Sequence, residues 1–140
     1  MSIQPYLFFA GRADEAVAFY KKVFGAEPQM LLRYNECPDP LPPGAVPPGW
    51  EDKVMHMSFR IGDTTILASD GKCQGQPAFD GFALSLTVTN DGDADRVFTA
   101  LADGGQVAMP LTKTFFSSRF GMVTDRFGVL WMTYVAIPEI

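Results

Sequence analysis

Ala13-Asp14-Glu15-Ala16-Val17-Ala18-Phe19-Tyr20-Lys21-Lys22-Val23-Phe24-Gly25-Ala26-Glu27 is the stretch that decides the fold. Ala16, Phe19, Tyr20 and Val23 recur at the three- and four-residue spacing of one helix face. Asp14 and Glu15 suit the positive end of a helix dipole, Lys21 and Lys22 the negative end, and Gly25 stops the helix. The stretch predicts a helix over about 13–24 with a strand after it. Gly92-Asp93-Ala94-Asp95-Arg96-Val97-Phe98-Thr99-Ala100-Leu101-Ala102-Asp103-Gly104-Gly105-Gln106 repeats the pattern. Asp93 falls where Asp14 does, Phe98 where Phe19 does, and Gly104 where Gly25 does. A strand-like run precedes each helix and several follow it. A duplicated βαβββ unit is the simplest reading.

Working outward, Ile3–Phe9 reads as a first strand, with Pro5 placing it at a sheet edge. Gln29–Tyr34 is the second. Val54–Ile61 alternates: Met55, Met57, Phe59 and Ile61 share one face, His56, Ser58 and Arg60 the other. Gly62-Asp63 turns the chain into Thr64–Ser69. The second half carries strands at Gly81–Thr89, Gln106–Thr112, Phe120–Thr124 and Val129–Ala136, with a helix over Asp93–Ala102 and a turn at Asp125-Arg126-Phe127-Gly128. The expected fold class is α+β, with about eight strands and two main helices. Residues 35–53 hold six of the eleven prolines, so this segment is a loop. A loop of that length serves as a lid, a partner contact or a disordered segment, and Trp50 is its expected anchor. The division expected is one domain over 1–140, built from modules 1–75 and 76–140, because each half alone is too small to bury a good core.

The chain has 140 residues, 47% of them hydrophobic, and a net charge of -5. Its basic residues are scattered, which argues against nucleic acid and against a polybasic membrane contact. No apolar run approaches the roughly 20 residues of a membrane span. Met1-Ser2-Ile3-Gln4-Pro5-Tyr6 has no basic start and no long apolar core, so a cytoplasmic protein is expected. Cys37 and Cys73 both fall in loop-like sequence and are expected to be reduced thiols.

Several segments together resemble the vicinal oxygen chelate superfamily of glyoxalase I, extradiol dioxygenases and bleomycin-resistance proteins. They are Phe19-Tyr20-Lys21-Lys22-Val23-Phe24-Gly25-Ala26, Gly81-Phe82-Ala83-Leu84-Ser85-Leu86 and Val123-Thr124-Asp125-Arg126-Phe127-Gly128-Val129-Leu130-Trp131. Ser2-Ile3-Gln4-Pro5-Tyr6-Leu7-Phe8-Phe9-Ala10-Gly11, Lys113-Thr114-Phe115-Phe116 and Phe120-Gly121-Met122-Val123-Thr124-Asp125-Arg126-Phe127-Gly128 bring the likeness to the PhnB-like branch. The resemblance covers essentially the whole chain. It implies paired βαβββ modules forming a half-open, cup-like sheet, and a homodimer. It also implies four metal-ligand positions in the enzymes of the superfamily, falling here at or near Pro5, at Leu67 or Ala68, at Phe82 and at Met132. None of these side chains suits a hard or borderline divalent cation, so no metal and no other cofactor is expected. PhnB-like proteins are often labelled 3-demethylubiquinone 3-methyltransferases. This sequence has no glycine-rich strand-to-helix turn for a nucleotide-like cofactor, so the label is discounted.

His56 is the one histidine, the residue type whose unperturbed pKa lies near neutrality. The resemblance places the polar face of its strand towards the cup, where Arg60 could clamp a carboxylate or phosphate and His56 could shuttle a proton. The competing reading makes His56 a structural histidine and Arg60 a surface charge. Asp70 is a candidate acid or cation partner, set against a turn aspartate bonding backbone. Tyr34 and Tyr134 end strands and could offer hydroxyls to the cup. Phe116 belongs to a C-terminal aromatic cluster, which core packing or a dimer contact would equally explain. The leading expectation is metal-independent binding, with or without turnover, of a small organic molecule. The alternatives are a divalent-metal-dependent lyase, isomerase or dioxygenase, and a drug-sequestering resistance-type protein.

Overall fold

Pro5 cannot donate to a β-ladder, and the first strand accordingly begins one residue later. The computed structural model describes residues 1–39, 41–71 and 77–137. Cys73 and the expected 75/76 module boundary lie outside them. The chain divides into two units, Met1–Pro77 and Ala78–Ile140. The described residues form two helices and eight strands in two mixed four-stranded sheets, an α+β fold with one βαβββ set per unit.

The first unit runs β1 (Tyr6–Phe8), α1 (Ala13–Phe24), β2 (Glu27–Arg33), β3 (Val54–Ile61) and β4 (Thr64–Ser69). Its sheet order is β1-β4-β3-β2. β1 lies parallel to β4, and the other pairs are antiparallel. The Pro5 carbonyl still accepts from the Leu67 amide at 2.9 Å, but β1 itself is shorter than the expected Ile3–Phe9. α1 has the expected bounds and ends on Gly25 at φ 69°, a left-handed conformation that glycine adopts without strain. It buries Ala16, Phe19, Tyr20 and Val23, and the Tyr20 ring stacks on Phe59 of β3 at 5.8 Å. Leu7, Met57, Phe59, Ile66 and Ala68 are buried on that side of the sheet. Register puts Tyr6, Phe8, Leu67, His56, Ser58 and Arg60 on the opposite face.

The second unit runs β5 (Leu84–Val88), α2 (Asp91–Ala102), β6 (Gln106–Thr112), β7 (Ser117–Thr124) and β8 (Leu130–Ala136). Its order is β5-β8-β7-β6, with β5 parallel to β8. α2 begins two residues before the expected Asp93, because the Asn90 side chain caps it by accepting the Asp93 amide at 2.8 Å. β7 starts at Ser117, three residues earlier than expected. There Ser117 Oγ donates to the Val135 carbonyl at 2.8 Å and accepts the Val135 amide at 3.1 Å, pinning β7 to β8. Gly121 lets α2 approach β7: a Cβ there would stand 2.9 Å from the Phe98 ring.

One edge strand of each sheet carries a proline at a register shift, Pro28 in β2 and Pro110 in β6. Each withholds a ladder donor and bends the exposed edge, which discourages sheet-to-sheet pairing. Thr133 is fully buried, and its Oγ1 is the one buried side-chain polar atom without a partner among the described residues. Thr133→Val keeps the shape and removes the orphan hydroxyl. It should raise unfolding free energy by about 1 kcal/mol; a lower thermal midpoint than the parent would contradict this.

Candidate functional site

The polar face of β3 is the expected candidate site, and the structure supplies its neighbours. Tyr6 of β1 reaches His56, with its hydroxyl 3.2 Å from Nδ1. The Tyr6 and His56 ring centroids are 5.7 Å apart, and Phe8 extends the row at 4.9 Å from the Tyr6 ring. Tyr6 and Phe8 are 38% and 43% exposed, so the row offers aromatic surface beside one polar pair. Sequence reasoning named Tyr34 and Tyr134 but missed Tyr6 and Phe8. Their same-face spacing in β1 was visible; their closeness to β3 depends on β4 pairing with both strands.

Arg60 shares the His56 face, but its Nη2 sits 2.7 Å from Glu27 Oε2 across the β2–β3 pair. Two residues along a strand separate neighbouring same-face side chains by roughly 7 Å. The His56–Arg60 spacing of four therefore amounts to roughly 13 Å, and the two do not converge on one small group.

Asp70 is fully buried at the end of β4. Its Oδ1 accepts the amides of Gly11 at 2.8 Å and Ala13 at 2.9 Å, and its Oδ2 accepts the Val54 amide at 2.9 Å. Arg12, at the N-cap of α1, makes no side-chain cap. Asp70 takes that role from a distant strand, placing a carboxylate at the positive end of the helix dipole. Its geometry is that of a backbone clamp.

Tyr34 does not end β2; it opens a 3-10 turn over Tyr34–Glu36, and its amide donates to the Lys53 carbonyl at 3.1 Å. That bond and the Asn35 amide donating to the Glu51 carbonyl close the base of the proline-rich loop. Trp50 anchors it, packing on Gly11, where φ is 101° and a Cβ would lie 2.7 Å from the indole. Lys53 Nζ donates to the Gly11 carbonyl at 3.0 Å. Arg33 joins the loop to α1: its guanidinium donates twice to the Asp14 carboxylate, each at 2.9 Å, and once to the Asp52 carbonyl at 2.8 Å.

The Arg33 hydrogen bond holds the Asp14 carboxyl below its ordinary value, against a smaller opposing effect of burial. A depressed carboxylate stabilises the fold above its unfolded value and loses that contribution as pH falls through the folded one. Asp14→Asn should therefore cost less than about 1 kcal/mol at neutral pH, because both partners are partly solvated, and nothing once acid has protonated the carboxyl. Urea melts at neutral and strongly acidic pH check this, and an equal cost at both would contradict it.

In the second unit, Phe116 stacks on Tyr134 at 6.1 Å and meets Phe120 edge-on at 5.1 Å. Tyr134 pairs with Phe120 of β7 and Thr87 of β5. Phe116 and Tyr134 are thus brought together as one aromatic patch.

The positions that the resemblance assigns to metal ligands are occupied by Pro5, Leu67 or Ala68, Phe82 and Met132, side chains with no imidazole, carboxylate or thiolate. Leu67 lies in β4 and Met132 in β8, while Pro5 and Phe82 precede β1 and β5. Among the described residues, no three His, Cys, Asp or Glu side chains group as a metal would need. Cys37 is a free thiol. No helix among the described residues is long and apolar enough to cross a membrane.

Residues 1–134 match the family described as 3-demethylubiquinone-9 3-methyltransferase. Protein YjdN of Escherichia coli K12 is 34% identical, over 96% of this chain and 95% of its own length. The crystal structure of PA1353 from Pseudomonas aeruginosa superposes with TM-score 0.83 at 37% identity, covering 97% of this chain and 98% of that one. The PhnB protein of Bacillus cereus gives 0.80 at 30% identity, covering 97% and 100%. The fosfomycin resistance protein FosX of Listeria monocytogenes, at 13% identity and TM-score 0.64 over 98% of this chain and 93% of that one, shares the fold alone. The chain belongs to the PhnB-like family, the 3-demethylubiquinone-9 3-methyltransferase-like group within the vicinal oxygen chelate superfamily.

Proposed function

We propose that this PhnB-like protein binds a small organic molecule on the face of its first sheet opposite α1, without a metal, with the His56 imidazole meeting the ligand. The observation that carries this is the Tyr6–His56 contact beside exposed Phe8. Side chains at the four superfamily metal positions offer no imidazole, carboxylate or thiolate, which supports binding without a cation. The family's methyltransferase description gains no support from these sheets. Each has one parallel strand pair, unlike the doubly wound parallel sheet that cradles nucleotide-like cofactors. The same reading keeps residues 1–140 as one domain of a cytoplasmic homodimer, in line with the family resemblance.

A thermal-shift screen of anionic, cationic and neutral small molecules tests the reading. At least one class should raise the parent midpoint, and His56→Ala should abolish that rise. Hits that stabilise His56→Ala as well as the parent would remove His56 from the site. Purified protein carrying about one tightly bound Zn, Ni or Fe per chain would return the metal-dependent lyase, isomerase or dioxygenase alternative. Hits confined to cations would favour the drug-sequestering alternative.

A further inference from the structure

The Tyr6–His56 contact is ambident, and this sets the chemistry of what it can recognise. If the Tyr6 hydroxyl donates to Nδ1, the imidazole carries its proton on Nε2 and keeps a donor there, while the phenol oxygen keeps acceptor capacity. If instead Nδ1–H donates to the phenol oxygen, Tyr6 keeps the donor and Nε2 becomes the acceptor. Either tautomer leaves one donor and one acceptor. The exposed rings of Tyr6 and Phe8 lie alongside, their centroids 4.9 Å apart. Arg60, on the same face, is paired with Glu27 at 2.7 Å. Among the described residues, the guanidinium on this face is thus already compensated, which disfavours an anion.

We infer that Tyr6, His56 and Phe8 form a recognition site for an uncharged, planar aromatic ring that carries a hydrogen-bond donor and an acceptor side by side, as in a hydroxyaryl or cyclic amide. This rests on the function proposed above and names the ligand class for that same face. It departs from the anion clamp that the sequence suggests for Arg60. The ligand ring would stack against Phe8 and Tyr6, and its paired polar atoms would complete the open donor and acceptor of the dyad. Tyr6 then acts as a binding residue in its own right and also positions the imidazole.

Because His56 is the only histidine, its imidazole NMR signals are assigned without ambiguity and report the site directly. The probes are 2-pyridone, which pairs donor with acceptor, N-methyl-2-pyridone, which lacks the donor, and benzoate, which is anionic. The expected result is a saturable shift of the His56 signals with 2-pyridone at neutral pH, and binding about tenfold weaker for the other two. Tyr6→Phe and Phe8→Ala, both at exposed positions, should each weaken 2-pyridone by about the same factor. Tyr6→Phe should also change the His56 tautomer populations read from the ring nitrogen shifts, which a purely steric role would leave alone. Benzoate binding as tightly as 2-pyridone, or 2-pyridone binding unchanged in Tyr6→Phe and Phe8→Ala, would overturn the inference while leaving His56 in the proposed site. Probes that leave the His56 signals unmoved up to millimolar concentration would overturn both.

Discussion

A single buried carboxylate holds the first unit in register. Asp70 stands at the end of β4 and draws three backbone amides to it: Gly11 in the turn before α1, Ala13 at the start of α1, and Val54 at the start of β3. A buried carboxylate without compensation is costly. Here three donors and the positive end of α1 offset that cost. The clamp fixes where α1 leaves the sheet, and hence which face of the sheet α1 covers. Tyr6, Phe8 and His56 lie on the face opposite α1. The Gly11 amide that bonds Asp70 belongs to the residue under Trp50, and its carbonyl receives Lys53. The proline-rich loop is therefore tied to the same corner.

The second unit repeats the device with different donors. Asp125, almost fully buried, accepts the amides of Phe127 and Val129 and the indole N–H of Trp131. It organises the β7–β8 turn, where the Asp70 clamp joins a helix to two strands. Both carboxylates are occupied by the fold, and neither stands among metal-ligating neighbours in the described residues. The imidazole of His56, the phenol of Tyr6 and the exposed Phe8 ring are the chemistry left on the face of the first sheet opposite α1.

The regular elements were legible because their signals are local. α1, β3, β4 and β6 have the bounds that periodicity and turn residues indicate. The placement of His56 and Arg60 on one face followed from simple alternation. What escaped were interactions between residues distant in sequence. β2 was expected to begin at Gln29, so Glu27 was left outside it and its cross-strand pairing with Arg60 went unseen. Tyr6 comes near His56 only through β4, and no local pattern announces that Tyr6 will pair in parallel with the distant Leu67. The clamp role of Asp70 was weighed as backbone bonding within a turn. Its actual donors lie in three other segments, and burial of that kind has no local signature. Asn90 was missed as a cap although an Asn three residues before Asp93 is a recognisable start signal.

The most direct test of this account replaces Asp70 with Asn and measures two things on the same protein. One is unfolding free energy in urea. The other is the perturbation of the His56 imidazole signals by 2-pyridone, scaled to the folded fraction. Asparagine nearly keeps the shape but loses the charge and one of the two acceptor oxygens. The account predicts a loss of about 2–4 kcal/mol in stability, with ligand affinity per folded molecule unchanged. Stability within about 0.5 kcal/mol of the parent, together with abolished ligand response, would show that Asp70 serves the ligand rather than the backbone, and would contradict it.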